Sequence, residues 1–124
     1  MLGERAFARA VAFVAGRLGE PLTLADIAAA ACISRFHFAR LFRARTGCSP
    51  MEYVMRLRLE RAREMLARDD GCIADTAAAL GFYDQSHFTR TFRRVHGIPP
   101  RQFRLRSRGA AAPAPLACAP EAHP

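Results

Sequence analysis

The sequence has no lysine and no long apolar run. All 19 of its basic residues are arginines. The most apolar stretch near its start, residues 7–16, is interrupted by Arg9 and followed by Arg17, so it is too short to cross a bilayer. Because the stretch also lacks a cleavage-site pattern, we expect a cytoplasmic protein with no membrane partner.

Metal-binding spacing is also missing. Isolated cysteines of the kind found here are typical of reduced, partly buried thiols in a cytosolic protein. We therefore expect neither a metal site nor a disulfide. No CxxC pair and no zinc spacing is formed by the cysteines and histidines, which are Cys32, Cys48, Cys72, Cys118, His37, His87, His96 and His123.

Motifs of catalysis are lacking as well. The sequence shows no Ser-His-Asp series, paired acidic motif, phosphate-binding loop or metal cluster. Such patterns carry most hydrolytic, phosphoryl-transfer and metal-assisted chemistry. We therefore predict that the protein is not an enzyme, with no catalytic residue and no cofactor.

Positive charge is what the sequence has in excess. The formal net charge is +8, which favours a polyanionic partner, most simply nucleic acid. A cationic membrane-surface protein is an alternative, but its charges would be collected on one helix, whereas these arginines are spread over several. All of the arginines precede Gly109, so the charge belongs to the part of the chain that we expect to fold.

One segment of the sequence occurs twice. Residues 37–43, HFARLFR, return as residues 87–93, HFTRTFR, and the match continues to Gly47 and Gly97 at the same offset. Upstream, residues 25–26 match residues 74–75 at an offset shorter by one, so the second turn has gained a residue. A repeat of this length indicates a duplicated supersecondary unit. Each copy reads as a short helix, a turn and a second helix, the pattern of a helix-turn-helix.

Capping signals predict where the helices begin and end. Thr23 with Asp26 and Ser49 with Glu52 fit capping boxes, and Ser34 is a good N-cap for a helix that Gly47 ends. Residues 4–18 form an amphipathic stripe that we expect to pack against the first unit. The predicted fold class is all-α, with two tandem helix-turn-helix subdomains joined by a long central helix and about seven helices in total.

The second helix of each unit has an apolar side and a polar side. Phe38 and Phe42 lie four residues apart, as do Phe88 and Phe92, so each pair shares a buried face. Leu41 joins the inner face of the first copy, which leaves Arg35, Phe36, Ala39, Arg40 and Arg43 on its outer face. Arginine and uncharged hydrogen-bonding groups on such an outer face suit the base-pair edges of a major groove. An ordinary amphipathic surface helix is the alternative interpretation of one copy alone.

The central helix is the longest, running from Ser49 to about Asp69. Twenty residues span roughly 30 Å, close to the ~34 Å of one turn of DNA. Two reading helices held one turn apart would meet successive major grooves. We expect its buried face to comprise Tyr53, Leu57, Met65 and Leu66.

We therefore predict four segments. Residues 1–47 form the first unit, residues 48–70 the linker helix, and residues 71–108 the second unit with its closing helix. Residues 109–124 contain mainly alanine and proline without periodicity, which is typical of a disordered tail.

The second unit carries a recognisable series of residues: Ile73, Ala77, Gly81, Phe82, Ser86, His87, Phe88, Arg90, Phe92, Gly97 and Pro99 or Pro100. In this series the chain resembles the DNA-binding domain of the AraC/XylS family of bacterial transcription regulators. The resemblance covers residues 5–107, and in size the chain is similar to stand-alone members that lack a separate effector-binding domain. Two departures are Cys72 at a helix N-cap and Thr76 in place of the usual isoleucine or valine.

The resemblance implies seven helices, with one recognition helix per unit in adjacent major grooves. Carried over position by position, it implies base contacts by Phe36, Ala39, Arg40, Gln85, Ser86, His87, Thr89 and Arg90. The outward side of the first recognition helix adds Arg35 to the candidates for base contact. Phosphate contact is expected of Ser34, His37, Arg43, Arg93, Arg94, Arg101 and Arg104.

Four of the candidates for base contact have an alternative role. Arg40 and Arg90 could instead contact a phosphate, and Arg90 could brace the protein itself. Phe36 could be only a lid on the core, and His87 could be a structural histidine.

The predicted function is that of a sequence-specific regulator of transcription, an activator that binds double-stranded DNA as a monomer in the nucleoid. Contact with RNA polymerase is implied by the resemblance alone. The alternatives are a sequence-blind nucleic-acid binder, the DNA-binding module of a larger regulator, a module of an alkyl-DNA repair system, and a helical module that only binds other proteins.

Overall fold

The computed structural model describes residues 2–68 and 71–107 of the chain. The described residues form helices and no strand. This agrees with the predicted all-α class. The seven helices are α1 (Glu4–Ala15), α2 (Leu24–Ala30), α3 (Arg35–Thr46), α4 (Pro50–Arg68), α5 (Ile73–Ala79), α6 (Gln85–His96) and α7 (Pro100–Ser107).

The chain divides into two compact units, residues 1–57 and 58–124, with the boundary inside α4. The first half of α4 buries Val54 in the first unit, and the second half buries Leu59, Ala62 and Leu66. The predicted linker helix therefore supplies core residues to both units. The predicted buried face of α4 was correct for Leu66, whereas Tyr53, Leu57 and Met65 are only half-buried.

The core of the first unit gathers around two phenylalanines of α3. Phe38 and Phe42 are buried, and the ring of Phe42 lies 5.9 Å from that of Phe7 on α1. Helix α1 thus packs against the helix-turn-helix, as predicted. The other buried residues of this core are Leu2, Ala10, Val14, Leu18, Ile27, Ala28, Ala31, Cys48 and Val54.

An arginine of α1 ties that helix to the end of α2. The Nε of Arg9 donates to the carbonyl of Ala30, and its Nη2 donates to the carbonyl of Ala31, both at 3.2 Å. These carbonyls belong to the C-terminus of α2, where the helix dipole favours a cation. The contact fixes the turn that leads into α3.

The second unit gathers around Phe88 and Phe92 of α6 in the same way. Both rings are fully buried. The ring of Phe92 lies 5.7 Å from that of Phe103, so Phe103 anchors the closing helix α7. The other buried apolar residues of this unit are Leu59, Ala62, Leu66, Ile73, Ala77, Leu80 and Phe82.

Helix ends follow the predicted capping signals closely. Thr23 and Asp26 form a capping box, and the amide of Glu52 donates to Ser49 Oγ at 3.1 Å while Ser49 N donates to the Glu52 carboxylate at 2.8 Å. Helix α1 ends at Ala15, three residues before the end of the predicted amphipathic stripe, and the amide of Gly16 donates to the carbonyl of Ala12 at 3.1 Å.

The predicted departures at the start of α5 are also seen. Cys72 occupies the N-cap position and makes no side-chain capping bond. Thr76 is 4% exposed, so a threonine does stand in the core. The predicted disordered tail, residues 109–124, lies outside the described residues.

Candidate nucleic-acid interface

Helix α3 begins at a capped terminus after the turn of the first unit. The amide of His37 donates to Ser34 Oγ at 3.4 Å, and the helix ends at Gly47 in the left-handed conformation, at φ 87°. Because Phe38 and Phe42 hold the inner side of the helix in the core, the orientation of its outer side is set.

The outer side of α3 presents the predicted residues. Arg35, Phe36, His37 and Arg40 are exposed, while Ala39 is half-buried. Phe36 is 76% exposed, and the guanidinium carbon of Arg35 lies 5.1 Å from the centre of its ring. Apolar and cationic groups are therefore adjacent on one surface, which suits contact with a thymine methyl and a guanine edge.

Arg43 lies one turn further along α3 and has an acidic neighbour. Its Nη2 lies 3.7 Å from Oε1 of Glu52, and both side chains are largely exposed. The pKa of the Glu52 carboxyl is lowered, chiefly by the hydrogen bond from the Ser49 amide, then by the Ser49 hydroxyl and the nearby arginines. The carboxylate is therefore charged, and it partly neutralises Arg43.

Helix α6 begins at Asp84. The Oδ1 atom of Asp84 accepts from the amide of His87 at 2.8 Å, and the helix ends at Gly97 with φ 88°. Ser86 and Arg90 are exposed, and Gln85 and His87 are half-buried. The ring of His87 packs edge-on against Phe82, with centres 5.5 Å apart, so this histidine has a structural contact as well as an accessible side.

One predicted contact residue of α6 is largely inaccessible. Thr89 is 7% exposed, whereas the sequence pattern had placed it on the outer side. It lies three residues before Phe92, so it shares the flank of the helix that the core covers. The outward-facing prediction was wrong for Thr89.

Arg104 is a second predicted contact residue whose side chain is engaged within the protein. Its Nε donates to the carbonyl of Leu66 at 3.3 Å, and its Nη2 atom is buried without a hydrogen-bond partner. The guanidinium thus lies against the last turn of α4, where the carbonyls attract a cation. This geometry argues against the predicted phosphate contact of Arg104.

The remaining phosphate candidates are accessible. Arg93, Arg94 and Arg101 are exposed, as is Ser34, although the Ser34 hydroxyl is already engaged as a helix cap. In the first unit, Arg45 is instead a structural residue. It donates to Leu2 O at 3.2 Å and lies 4.0 Å from the centre of the Phe7 ring.

The described part of the chain shows no grouping of three or more histidine, cysteine or acidic residues that could hold a metal ion. Cys32, Cys48 and Cys72 are free thiols there, while Cys118 lies outside the described residues. None of the described helices is long and apolar enough to span a membrane.

Sequence reasoning did not single out Tyr83, the most exposed of the large apolar side chains. It is 90% exposed and directly precedes the N-cap of α6. The signal was available in the repeat, because the second turn has one residue more than the first.

Comparison with known proteins places these features in a family. A family model described as a helix-turn-helix domain matches residues 27–106. The regulator GbdR of Pseudomonas aeruginosa is 38% identical over 94 residues, which cover 76% of this chain and 26% of that protein. The regulator ArgR of the same organism is 35% identical over 104 residues, covering 84% and 32%. The chain thus spans about a quarter to a third of the length of these relatives.

Solved structures show a similarity to the same kind of domain. A transcriptional regulator with an AraC-type DNA-binding domain from Chromobacterium violaceum has a TM-score of 0.81 and 33% identity, covering 88% of this chain and 96% of that one. The DNA-binding domain of AdpA, solved with a target DNA, has a TM-score of 0.75 and 30% identity, covering 80% and 89%.

Proposed function

Because the chain belongs to the family of AraC-type helix-turn-helix domains, we propose that it binds double-stranded DNA at specific sequences and regulates transcription. The observation that carries this proposal is the outer side of α3, where Arg35, Phe36 and Arg40 are exposed directly after a helix-turn-helix turn. A relative of the same fold has been solved with its target DNA.

Arg40 is the residue we propose for base readout by α3. It is exposed and forms no ion pair with another described residue, so its guanidinium is available to the two acceptors of a guanine. Phe36 supplies an apolar contact to a thymine methyl, with Arg35 beside it. Ala39 is small and half-buried, so it adds fit rather than a hydrogen bond.

In α6 the proposed readers are Gln85, Ser86, His87 and Arg90. Gln85 has an amide that pairs with adenine, and Arg90, like Arg40, has a guanidinium that can donate to the two acceptors of a guanine. Thr89 leaves the set because it is buried.

Phosphate contacts are proposed for exposed groups that flank these helices. Four arginines would displace counterions, which predicts a slope of about −4 in a plot of log affinity against log salt. Arg104 is excluded because of its contact with α4. The proposed set is Ser34, His37, Arg43, Arg93, Arg94 and Arg101.

A single chain carries two different reading helices, so the proposed site is asymmetric and one monomer fills it. Helix α4 has 19 residues and is about 28 Å long, near the ~34 Å of one DNA turn. We therefore propose that α3 and α6 read adjacent major grooves of one duplex.

Selection of bound duplexes from a random library tests this proposal. A specific regulator enriches one asymmetric motif and binds it roughly 10³-fold or more above random DNA. Absence of an enriched motif with salt-sensitive binding would make the protein a sequence-blind binder. Absence of any DNA binding would leave only an interaction module.

Arg40→Ala sharpens the test on the selected duplex. We expect a loss of about 1–3 kcal/mol that disappears when one particular base pair is changed. Arg61→Ala is a matched control, because it removes one exposed charge that is paired with Glu64 at 3.7 Å. A loss for Arg40→Ala that is equal on all duplexes would assign Arg40 to a phosphate.

The proposed function also includes where the protein acts and how it changes transcription. A protein that reads chromosomal sequences acts in the cytoplasm of a bacterium, and we propose activation through contact with RNA polymerase. Transcription from a promoter bearing the selected site, with purified polymerase, tests both points. Unchanged transcription at saturating protein would refute activation, and reduced transcription would indicate a repressor.

A further inference from the structure

We infer, on the basis of the proposed function, that the hydroxyl of Tyr83 donates a hydrogen bond to a DNA phosphate at the start of α6. Tyr83 would be a positioning residue that fixes where the helix enters its groove, and it carries no base specificity.

The two turns show why Tyr83 stands apart. In the first unit, two residues separate the C-cap Ala31 from the N-cap Ser34, and in the second, three residues separate Leu80 from Asp84. Both turns close with the same backbone bond, from the amide of Ile33 to Ala28 O at 3.1 Å in the first unit.

In the second unit the corresponding bond runs from the amide of Phe82 to Ala77 O at 3.0 Å. Phe82 is therefore the counterpart of Ile33, and its buried ring lies 5.0 Å from that of Phe88. Since Phe82 does the packing, Tyr83 is the additional residue. It makes no ring contact or hydrogen bond with another described residue.

The position of this residue fits a phosphate better than a base. In a helix-turn-helix the first helix crosses the DNA backbone and the second enters the major groove, so the turn between them passes the phosphates. Tyrosine is among the side chains that donate to phosphate oxygens. Its hydroxyl stands at the end of a rigid ring, so few rotamers are lost when it binds.

The neighbouring Asp84 explains why a neutral donor suits this place. Its carboxylate is held at the N-terminus of α6 by the bond from His87 N, so it repels a phosphate that approaches the helix end directly. A donor on a longer side chain holds the phosphate farther from that carboxylate. The first unit has the uncharged Ser34 at this position and no additional residue before it.

The test compares Tyr83→Phe with the wild-type chain on the selected duplex and on random duplexes. Loss of one hydrogen bond should weaken binding about three- to tenfold. The loss should be equal on every sequence. The slope of log affinity against log salt should not change, because a neutral donor displaces no counterion. Tyr83→Phe should fold like the wild type, since the Tyr83 side chain is 90% exposed.

Tyr53→Phe is the matched control. Tyr53 is the only other tyrosine, and its counterpart in the second unit is Phe103, so losing that hydroxyl should leave affinity unchanged. The chain has two tyrosines and no tryptophan, so Tyr53→Phe leaves Tyr83 as the sole fluorophore of its kind. Added duplex should then protect the tyrosine emission from acrylamide quenching.

Two results would overturn the assignment. If Tyr83→Phe binds with unchanged affinity, the hydroxyl makes no contact with DNA. This holds even if Tyr83→Ala binds more weakly, because the ring then makes an apolar contact. A loss confined to one sequence makes it a base contact. If Arg90→Ala and Arg94→Ala also leave affinity unchanged, the proposed placement of α6 itself fails. If they weaken binding, only the inference about Tyr83 fails.

Discussion

In the first unit the ring of Phe42 lies 5.5 Å from that of Phe38 and 5.3 Å from that of Tyr53. In the second, the ring of Phe92 lies 5.7 Å from that of Phe88 and 5.7 Å from that of Phe103. The two cores therefore repeat one arrangement of aromatic rings, in which Tyr53 on α4 and Phe103 on α7 each pack edge-on against the last phenylalanine of the preceding helix.

The units differ where helices begin, turn and meet solvent. The first has a capping box at α2, and the second has an uncapped α5 that starts at Cys72. The turn of the first unit holds Cys32 at φ 62°, whereas the second has Gly81 at φ 82°. The ring packing is thus repeated, whereas the caps and turns, each of which contributes only about 1 kcal/mol, differ between the units.

The largest expected effect tests the shared core. Phe42→Ala and Phe92→Ala each remove a fully packed ring and should lower the free energy of unfolding by about 3–5 kcal/mol. Urea titration followed by far-UV circular dichroism measures this. Phe36→Ala is the control, because that ring is 76% exposed and should change stability by less than about 0.5 kcal/mol. A small effect at only one of the two core positions would show that the units do not share their packing.

The next effect concerns the left-handed residue of each turn. The left-handed conformation costs a non-glycine residue about 1–2 kcal/mol. Glycine avoids this cost, but it loses more conformational freedom on folding, which offsets part of the gain. Cys32→Gly should therefore stabilise the protein by about 0.5–1 kcal/mol, and Gly81→Cys should destabilise it by a similar amount. Thermal unfolding compares them. Equal signs for the two exchanges would mean that the thiol of Cys32 makes a stabilising contact.

Much of the fold could be predicted because its signals are local. The cap at Ser34 and the left-handed ends at Gly47 and Gly97 depend on a few neighbouring residues. The doubled spacing of the phenylalanines then identified the core. The positive φ of Cys32 could not be predicted from its residue type, since only the matched turn with Gly81 reveals it.

The candidate interface was predictable only in part. Helical periodicity correctly predicted that Arg40 and Arg90 are exposed, because they lie opposite the core phenylalanines. Thr89 lies on the flank of α6, and whether a flank is covered depends on how neighbouring helices pack against it. Arg104 reaches the end of α4, which is 38 residues away in sequence, so no local pattern could predict that contact.

A smaller effect is expected at the uncapped helix. Cys72→Thr gives α5 the same Thr-x-x-Asp pattern that caps α2, with Asp75 in the place of Asp26. We expect stabilisation of about 0.5–1 kcal/mol, measured as a rise in midpoint temperature.

The reciprocal Thr23→Cys should cost a similar amount. Asp75→Ala added to Cys72→Thr is the control, because it removes the return half of the capping box. If the double variant is as stable as Cys72→Thr alone, the box has not formed and the gain has another origin.

The smallest effect lies at the surface, where Glu52 of the first unit corresponds to Gln102 of the second. Glu52 partly neutralises Arg43, whereas Arg93 has glutamine at the matching position. Glu52→Gln should therefore raise DNA affinity on every sequence and steepen the salt slope by up to about 0.9. Gln102→Glu should do the reverse at Arg93. Identical slopes for all three proteins would mean that neither arginine meets a phosphate.

The carboxyl of Glu52 should also make the stability of the protein depend on pH. The pKa of Glu52 is lowered in the folded chain, first by the Ser49 amide, so its stabilising effect is present above the ordinary glutamate pKa. That effect is lost as the pH falls through the lowered pKa. Glutamine keeps the capping box without a titrating group. Wild-type stability should thus fall more steeply than that of Glu52→Gln on acidification, and parallel curves would show that the carboxyl contributes no pH dependence.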